Sequence, residues 1–112
     1  MRKTELKNLQ AAQMNNPIEN LNKLFDSRVR LGIMSTLMVN DEINFNDLKQ
    51  LIDVTDGNLA SHIKSLEESG YIKVYKGFIG RKTNTTYAAT KTGKKAFQQH
   101  LEALEKMIKS LG

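Results

Sequence analysis

Apolar residues recur at intervals of three or four positions through much of the chain, and this spacing predicts amphipathic helices. The first predicted helix covers residues 1–15, which are rich in strong helix formers. Asn16 and Pro17 then form a helix start signal, because asparagine caps well and proline suits the first helical position, so a second helix is expected up to Phe25. Further helices are predicted from Ser27 to Asn40, from an Asn46 cap to Ile52, from a Thr55 cap to Gly70, and from Thr90 or Thr92 almost to Gly112.

Three shorter segments have the pattern of strands. Ile43 and Phe45 alternate with polar neighbours and predict a very short strand. Residues 71–76 and 85–89 are rich in aromatic and β-branched side chains, and the glycine-containing stretch 77–84 between them predicts a hairpin with a long tip. The order of elements is that of a winged helix-turn-helix. The predicted class is mainly α with a small β-hairpin (α+β), divided into an N-terminal helical extension at residues 1–16, a winged helix domain at 17–90, and a C-terminal helix at 91–112.

Composition removes several classes of protein from consideration. The 112 residues are enough for one domain, and they include no cysteine, which excludes disulfide frameworks and thiolate sites. The N-terminus lacks the apolar core of a signal peptide, and no apolar run approaches the ~20 residues of a membrane span. A soluble cytoplasmic protein is therefore expected.

The basic charge of the chain is unevenly distributed. Net charge is +5, and the stretch 71–100 holds seven Lys and Arg residues without a single Asp or Glu. A segment of one sign within a mixed chain indicates a phosphate-binding surface, with a solvated lysine-rich surface as the alternative.

The predicted helix 55–70 has two different faces. Leu59, Ile63 and Leu66 share one side, whereas the other side is polar and uncharged: Asn58, Ser61, His62 and Ser65. Hydrogen-bonding side chains of this kind suit base edges in a major groove, and Lys64 beside them suits a phosphate. The glycine-rich hairpin tip 77–85 carries Arg81 and Lys82, which fit a DNA backbone or minor groove. The full set of expected DNA contacts is Thr55, Asn58, Ser61, His62, Lys64, Ser65, Lys76, Arg81, Lys82, Thr83 and Thr85.

The segment from Ser27 through Phe97 resembles the short stand-alone winged-helix regulators related to the MarR and ArsR families. The matching stretches are SRVRLGIMSTL, INFNDLKQLIDVTDGNLASHIKSLEESGYI and KGFIGRKTNTTYAATKTGKKAF. The resemblance implies repression or activation at promoter DNA, usually by a homodimer on a pseudo-palindrome. By position it assigns base reading to Asn58, Ser61, His62 and Ser65, and the wing to Arg81 and Lys82.

The final predicted helix carries an apolar seam at heptad spacing, formed by Phe97, Leu101, Leu104, Ile108 and Leu111. Such a seam, assisted by Leu6 and Leu9, predicts a homodimer interface. The alternative is that it packs on the helices of its own chain.

Other chemistry finds little support in the sequence. His100 with Glu102 and Glu105 is the one local approximation to a metal site, and a solvated helix face is the favoured interpretation. Neither a catalytic constellation nor a cofactor motif is found, and no effector ligand is indicated. Two alternatives to a sequence-specific double-stranded DNA binder stay open: a winged-helix protein-interaction module, and an RNA binder stacking bases on Tyr75 and Phe78.

Overall fold

The computed structural model describes residues 17–111 of the chain. Its helices are α1 (Arg28–Val39), α2 (Phe45–Ile52), α3 (Asp56–Glu68) and α4 (Lys91–Leu111), and its strands are β1 (Ile43–Asn44), β2 (Ile72–Ile79) and β3 (Lys82–Ala89). The predicted class, mainly α with a small β-hairpin, is confirmed. The helix predicted over residues 1–15 and the cap predicted at Asn16 lie outside the described residues. Within residues 17–111, no helix is both long enough and apolar enough to cross a membrane.

The single helix predicted from Pro17 to Phe25 is wrong. Two short 3-10 turns, Pro17–Asn20 and Lys23–Phe25, take its place. The break falls at Asn22, whose backbone is extended and whose Oδ1 accepts the N–H of Leu24 at 3.0 Å. An asparagine in this role starts a new turn rather than continuing a helix. The second turn delivers Phe25 into the core, where the side chain is 1% exposed.

α1 begins at the predicted cap, because Ser27 Oγ accepts the N–H of Arg30 at 3.3 Å. Around its inner side the helices and the hairpin base bury one continuous apolar cluster. This cluster consists of Phe25, Ile33, Met34, Leu37, Leu48, Leu59, Ile63, Leu66, Ile72, Tyr87 and Phe97.

α2 starts earlier than the sequence predicts. Its cap is Asn44, whose Oδ1 accepts the N–H of Asp47 at 2.8 Å, and Asn46 already lies inside the helix. With Asn44 as the cap, Asp47 is the third residue of the helix, and its carboxylate is stabilised there by the partial positive charge of the helix N-terminus. The expected strand is shortened accordingly, because Phe45 belongs to α2.

α2 and α3 form the helix-turn-helix pair. The turn between them contains Asp53 in a left-handed conformation with φ 60°, and Thr55 caps α3 as predicted by accepting the N–H of Asn58 at 3.2 Å. The Lys49 ammonium lies 2.5 Å from the Asp56 carboxylate and links the two helices across the turn. Both groups are well exposed, so this ion pair adds little stability, but it neutralises the carboxylate at the start of α3.

The hairpin is longer and its tip is shorter than predicted. β2 and β3 pair antiparallel from Ile72↔Ala89 as far as Ile79↔Lys82, so only Gly80 and Arg81 connect them. Gly80 has φ 62°, the left-handed conformation that a two-residue hairpin turn requires at its first central position. The expected loop 77–84 is therefore mostly strand. β1 adds to the other side of β3, which gives the sheet order β1-β3-β2.

Candidate nucleic-acid interface

α3 presents the two faces that its sequence predicts. Leu59, Ile63 and Leu66 are 5% exposed or less and anchor the helix in the core. On the other side, Asn58 and Ser61 are exposed, and Lys64 beside them is exposed as well. The base-reading role of these side chains stays a prediction, but all three are accessible to a partner from solvent.

Ser65 and His62 are only partly exposed. The Ser65 hydroxyl donates to the Ser61 carbonyl at 3.3 Å, one turn back along α3. Its proton is therefore used within the free protein, and its lone pairs are what it offers to a partner. Thr55, at the helix start, uses its hydroxyl oxygen to cap α3.

His62 contacts a residue that sequence reasoning missed. Its Nδ1 lies 3.0 Å from Nη1 of Arg30, which belongs to α1. Partial burial and, secondly, the positive charge of Arg30 lower the pKa of His62 below its ordinary 6.5, so the ring is neutral at neutral pH. Thirty-two positions separate the two residues, and no local pattern in the sequence signals the pair.

The basic side chains of the hairpin lie along a hydrogen-bonded ladder. Arg81 sits in the two-residue turn, Lys82 begins β3, and Lys76 and Thr83 are exposed on the paired strands. Thr85, further from the tip, is partly buried. Because the strands are paired up to Ile79 and Lys82, these groups are held by the sheet rather than by a long tip.

Two large apolar side chains accompany these cations at the tip. Phe78 is 74% exposed and Ile79 is 67% exposed. Tyr75, 45% exposed, lies with its ring centroid 5.8 Å from the Lys73 ammonium. Successive strand residues point to opposite sides of the sheet, so Tyr75 and Phe78, three positions apart, lie on opposite faces. They therefore cannot form one stacking platform.

The seam predicted on α4 divides between the core and the surface. Phe97 is 3% exposed and packs against Phe25 with ring centroids 5.1 Å apart, so its placement on a free dimer face is wrong. Leu104 is partly buried, whereas Leu101 and Ile108 are 40% and 69% exposed. The side chain of Leu111 and both Leu6 and Leu9 fall outside the described residues. The interpretation of residues 91–112 as a dimerisation helix stays a prediction.

His100 was expected on a solvated helix face, and this is wrong. The ring is 5% exposed, stacks near Phe97 and meets Phe25 edge-on at 5.2 Å. Its Nδ1 accepts the backbone N–H of Asn22 at 3.0 Å, which satisfies one ring nitrogen in the interior. Burial lowers the pKa of His100, and the Asp26 carboxylate partly opposes that shift. Among residues 17–111, no group of three His, Asp or Glu side chains is placed to share a metal ion.

Comparison with known proteins agrees with this geometry. The sequence profile of the winged helix DNA-binding domain matches residues 29–108. An uncharacterized protein of Methanocaldococcus jannaschii is 34% identical over 89 residues, which cover 80% of this chain and 97% of that protein. The structure of a transcriptional regulator homologue from Pyrococcus horikoshii OT3 superimposes with a TM-score of 0.76 and 31% identity over 88% of this chain and 95% of that one.

A protein of Porphyromonas gingivalis W83 assigned to the MarR family of transcriptional regulators shares the fold, with a TM-score of 0.63 and 21% identity over 74% of this chain and 80% of that one. The winged-helix resemblance that the sequence predicts is thereby confirmed, and the likeness to the MarR-family protein is one of fold. With a matching profile over most of its length, this chain belongs to the winged helix DNA-binding domain family, whose fold is that of transcriptional regulators.

Proposed function

We propose that the protein is a sequence-specific regulator that binds duplex DNA as a homodimer, with α3 in the major groove and the β2–β3 hairpin on the adjacent backbone or minor groove. The observation that carries this proposal is the pairing of two surfaces within one small domain. α3 offers an uncharged hydrogen-bonding face, and a hairpin of exposed cations follows it in a segment without acidic residues. Uncharged donors and acceptors read bases, whereas cations hold phosphates.

A selection from genomic fragments, followed by titration of the selected duplex against a random duplex, tests the proposal. Affinity for both duplexes should fall steeply with salt, because each neutralised phosphate releases counterions. Arg81→Ala and Lys82→Ala should each weaken both complexes alike and reduce the salt slope by about one. Asn58→Ala should cost about 1–3 kcal/mol on the selected duplex and much less on the random one. Affinity that is independent of salt, or equal losses on both duplexes for Asn58→Ala, would contradict these assignments.

The dimer rests on the exposed part of α4. One α3 contacts too few base pairs to select a site in a genome, and two copies on a two-fold axis place their recognition helices about 34–36 Å apart, one DNA turn. Leu101 and Ile108, exposed in a single chain, are apolar surface that a second copy would cover. Leu104 lies between them along the helix and adds its partly buried side chain.

Ile108→Glu tests this interface, because a side chain that is 69% exposed can be changed without disturbing the fold of one chain. The control is Gln99→Glu, an exposed position with the same change in charge, about two and a half turns away and so on the opposite side of α4. Sedimentation should show a dimer for the wild type and Gln99→Glu, and a monomer for Ile108→Glu. In a DNA titration, Ile108→Glu should also bind the operator more weakly than the other two proteins. A wild-type protein that is monomeric while it binds its operator tightly contradicts the dimer.

The RNA-binding alternative receives no support from the aromatic residues, since Tyr75 and Phe78 lie on opposite faces of β2. A protein-interaction module would expose apolar side chains on α3, whereas the outer face of α3 is polar. Binding of the selected duplex in preference to single-stranded RNA of the same sequence is the expected result.

A further inference from the structure

Arg30 occupies a bridging position between three parts of the domain. It lies in the first turn of α1, and its Nε donates to the Leu24 carbonyl in the turn Lys23–Phe25 at 2.5 Å. Its Nη1 lies 3.0 Å from Nδ1 of His62 on α3. The Arg30 side chain is partly buried. The guanidinium is therefore held at one end by a backbone carbonyl and presents its other end to the recognition helix.

The chemistry of the two side chains fixes which ring nitrogen of His62 carries the proton. A guanidinium has only N–H donors and keeps its charge at every accessible pH. A nitrogen that faces it at hydrogen-bond distance has to accept, so Nδ1 of His62 is unprotonated. A neutral imidazole holds one proton, which is then on Nε2. A second proton on Nδ1 would place two donors and two positive charges against each other.

We propose that Arg30 is a positioning residue for DNA reading, which makes His62 a fixed hydrogen-bond donor through Nε2–H. The proposal rests on the proposed function of α3 as the recognition helix. Because the two ring nitrogens point in well-separated directions, the nitrogen that is not held by Arg30 is the one available to a partner. In the major groove a donor is accepted by N7 or O6 of guanine, N7 of adenine or O4 of thymine, and is repelled by the N4 amino group of cytosine. His62 thus favours a base that presents an acceptor.

This role differs from a simple contact between Arg30 and a DNA phosphate. A phosphate contact would strengthen binding to every duplex, whereas positioning of His62 matters only where His62 meets its preferred base. Arg28 supplies the matched control, because it is an exposed arginine two positions earlier in the same turn of α1. Arg30→Met and Arg28→Met remove the same charge from the same helix end.

The first measurement uses the free protein and ¹⁵N NMR of the histidine side chains. In the wild type and in Arg28→Met, His62 should be the Nε2–H tautomer, and in Arg30→Met it should become a mixture of tautomers. Arg30→Lys keeps a charged donor and should restore the tautomer in part, which separates positioning from a loss of folding. An Nδ1–H tautomer in the wild type, or a tautomer that Arg30→Met leaves unchanged, overturns the proposal without any reference to DNA.

The second measurement is a double-mutant cycle on the selected duplex. Arg30→Met should weaken binding to it about tenfold beyond its effect on random DNA, the size of one specific contact. In a His62→Ala background that additional loss should vanish, since Arg30 acts through His62. If the losses from Arg30→Met and His62→Ala are independent, or if Arg30→Met and Arg28→Met weaken both duplexes equally, the positioning role is refuted while DNA binding stands. If the wild type binds no duplex tightly, the proposed function fails and this role fails with it, even with the Nε2–H tautomer in place.

Discussion

Replacing Gly93 by alanine tests how closely α4 is seated against the base of the hairpin. A Cβ at position 93 would lie 2.0 Å from the carbonyl oxygen of Tyr71, 2.7 Å from its carbonyl carbon and 2.9 Å from its Cα. All three are backbone atoms, so no side-chain rotation relieves the overlap, and α4 would have to move away. The hydrogen bonds at risk run from Thr90 N–H to the Tyr71 carbonyl at 3.0 Å, and from Thr90 Oγ1 to the Gly70 carbonyl at 2.7 Å.

These contacts set the expected magnitude. Two hydrogen bonds contribute about 1 kcal/mol each, and overpacking of a buried site costs about 1–3 kcal/mol more. Alanine recovers about 1 kcal/mol of helix propensity over glycine. The net loss in the free energy of unfolding is therefore about 2–4 kcal/mol, which is a large part of the ~5–15 kcal/mol that stabilises a typical domain.

Urea denaturation, monitored by circular dichroism, measures this change in the free energy of unfolding. Gly57→Ala is the matched control, since position 57 lies in the first turn of α3 and a Cβ there has nothing within 4 Å. It should leave the denaturation midpoint unchanged or raise it slightly. If Gly93→Ala unfolds at the same urea concentration as the wild type, the close approach between α4 and Tyr71 is incorrect.

Two further predictions concern the aromatic cluster beneath α4. Phe25→Ala removes the ring that contacts Tyr71, Phe97 and His100, and should lower the free energy of unfolding by about 3–5 kcal/mol in the same urea assay; a loss below about 1 kcal/mol would show that the cluster is not packed as described. Because burial lowers the pKa of His100, the unfolded chain takes up a proton near pH 6.5 that the folded chain refuses until a lower pH, so stability should fall as the pH drops through that window. His100→Asn keeps an acceptor near the Nδ1 position and should make stability depend less on pH in urea titrations at successive pH values. The pKa of His62 is shifted in the same direction, so part of the pH dependence should remain. A pH dependence that His100→Asn leaves unchanged would count against the buried neutral ring.

The sequence predicts best those elements whose signals are local. α3 is placed correctly because its cap, its apolar spacing and its stop are all within its own segment. Thr55 accepts a first-turn N–H, and Gly70 after the helix adopts φ 78°, a conformation that glycine tolerates best. The start of α1 at Ser27 is predictable for the same reason. Periodicity and caps depend on neighbours within about four residues, and a single sequence contains that information.

The errors arise where distant residues decide the outcome. Gly77 and Gly80 both suggest a loop, yet only Gly80 adopts a left-handed conformation, and pairing with β3 extends the strand through Gly77. The heptad spacing on α4 places Phe97 on an apolar face of the helix, but it does not determine whether that side chain packs against Phe25 or against a second copy of the chain. His100 was misplaced because a polar residue type on a helix suggests solvent, whereas one backbone N–H from Asn22 satisfies the ring in the interior. The contact between Arg30 and His62 is of the same long-range kind.

Tyr71 connects α3 with α4, the two helices whose relative position matters most for the proposed dimer. Its N–H donates to the Leu66 carbonyl at the end of α3 at 2.9 Å, and its carbonyl accepts from Thr90 at the start of α4 at 3.0 Å. Its hydroxyl accepts from the side chain of Asn22 at 2.9 Å, and the backbone N–H of Asn22 in turn donates to His100 on α4. α3, the base of the hairpin and α4 therefore meet at Tyr71 through hydrogen bonds of 2.9–3.0 Å. If two copies pair through α4, the contacts at Tyr71 would fix the position of each α3 relative to the two-fold axis. The distance between the two α3 helices, and with it the spacing of the half-sites on DNA, would then follow from the fold of each chain.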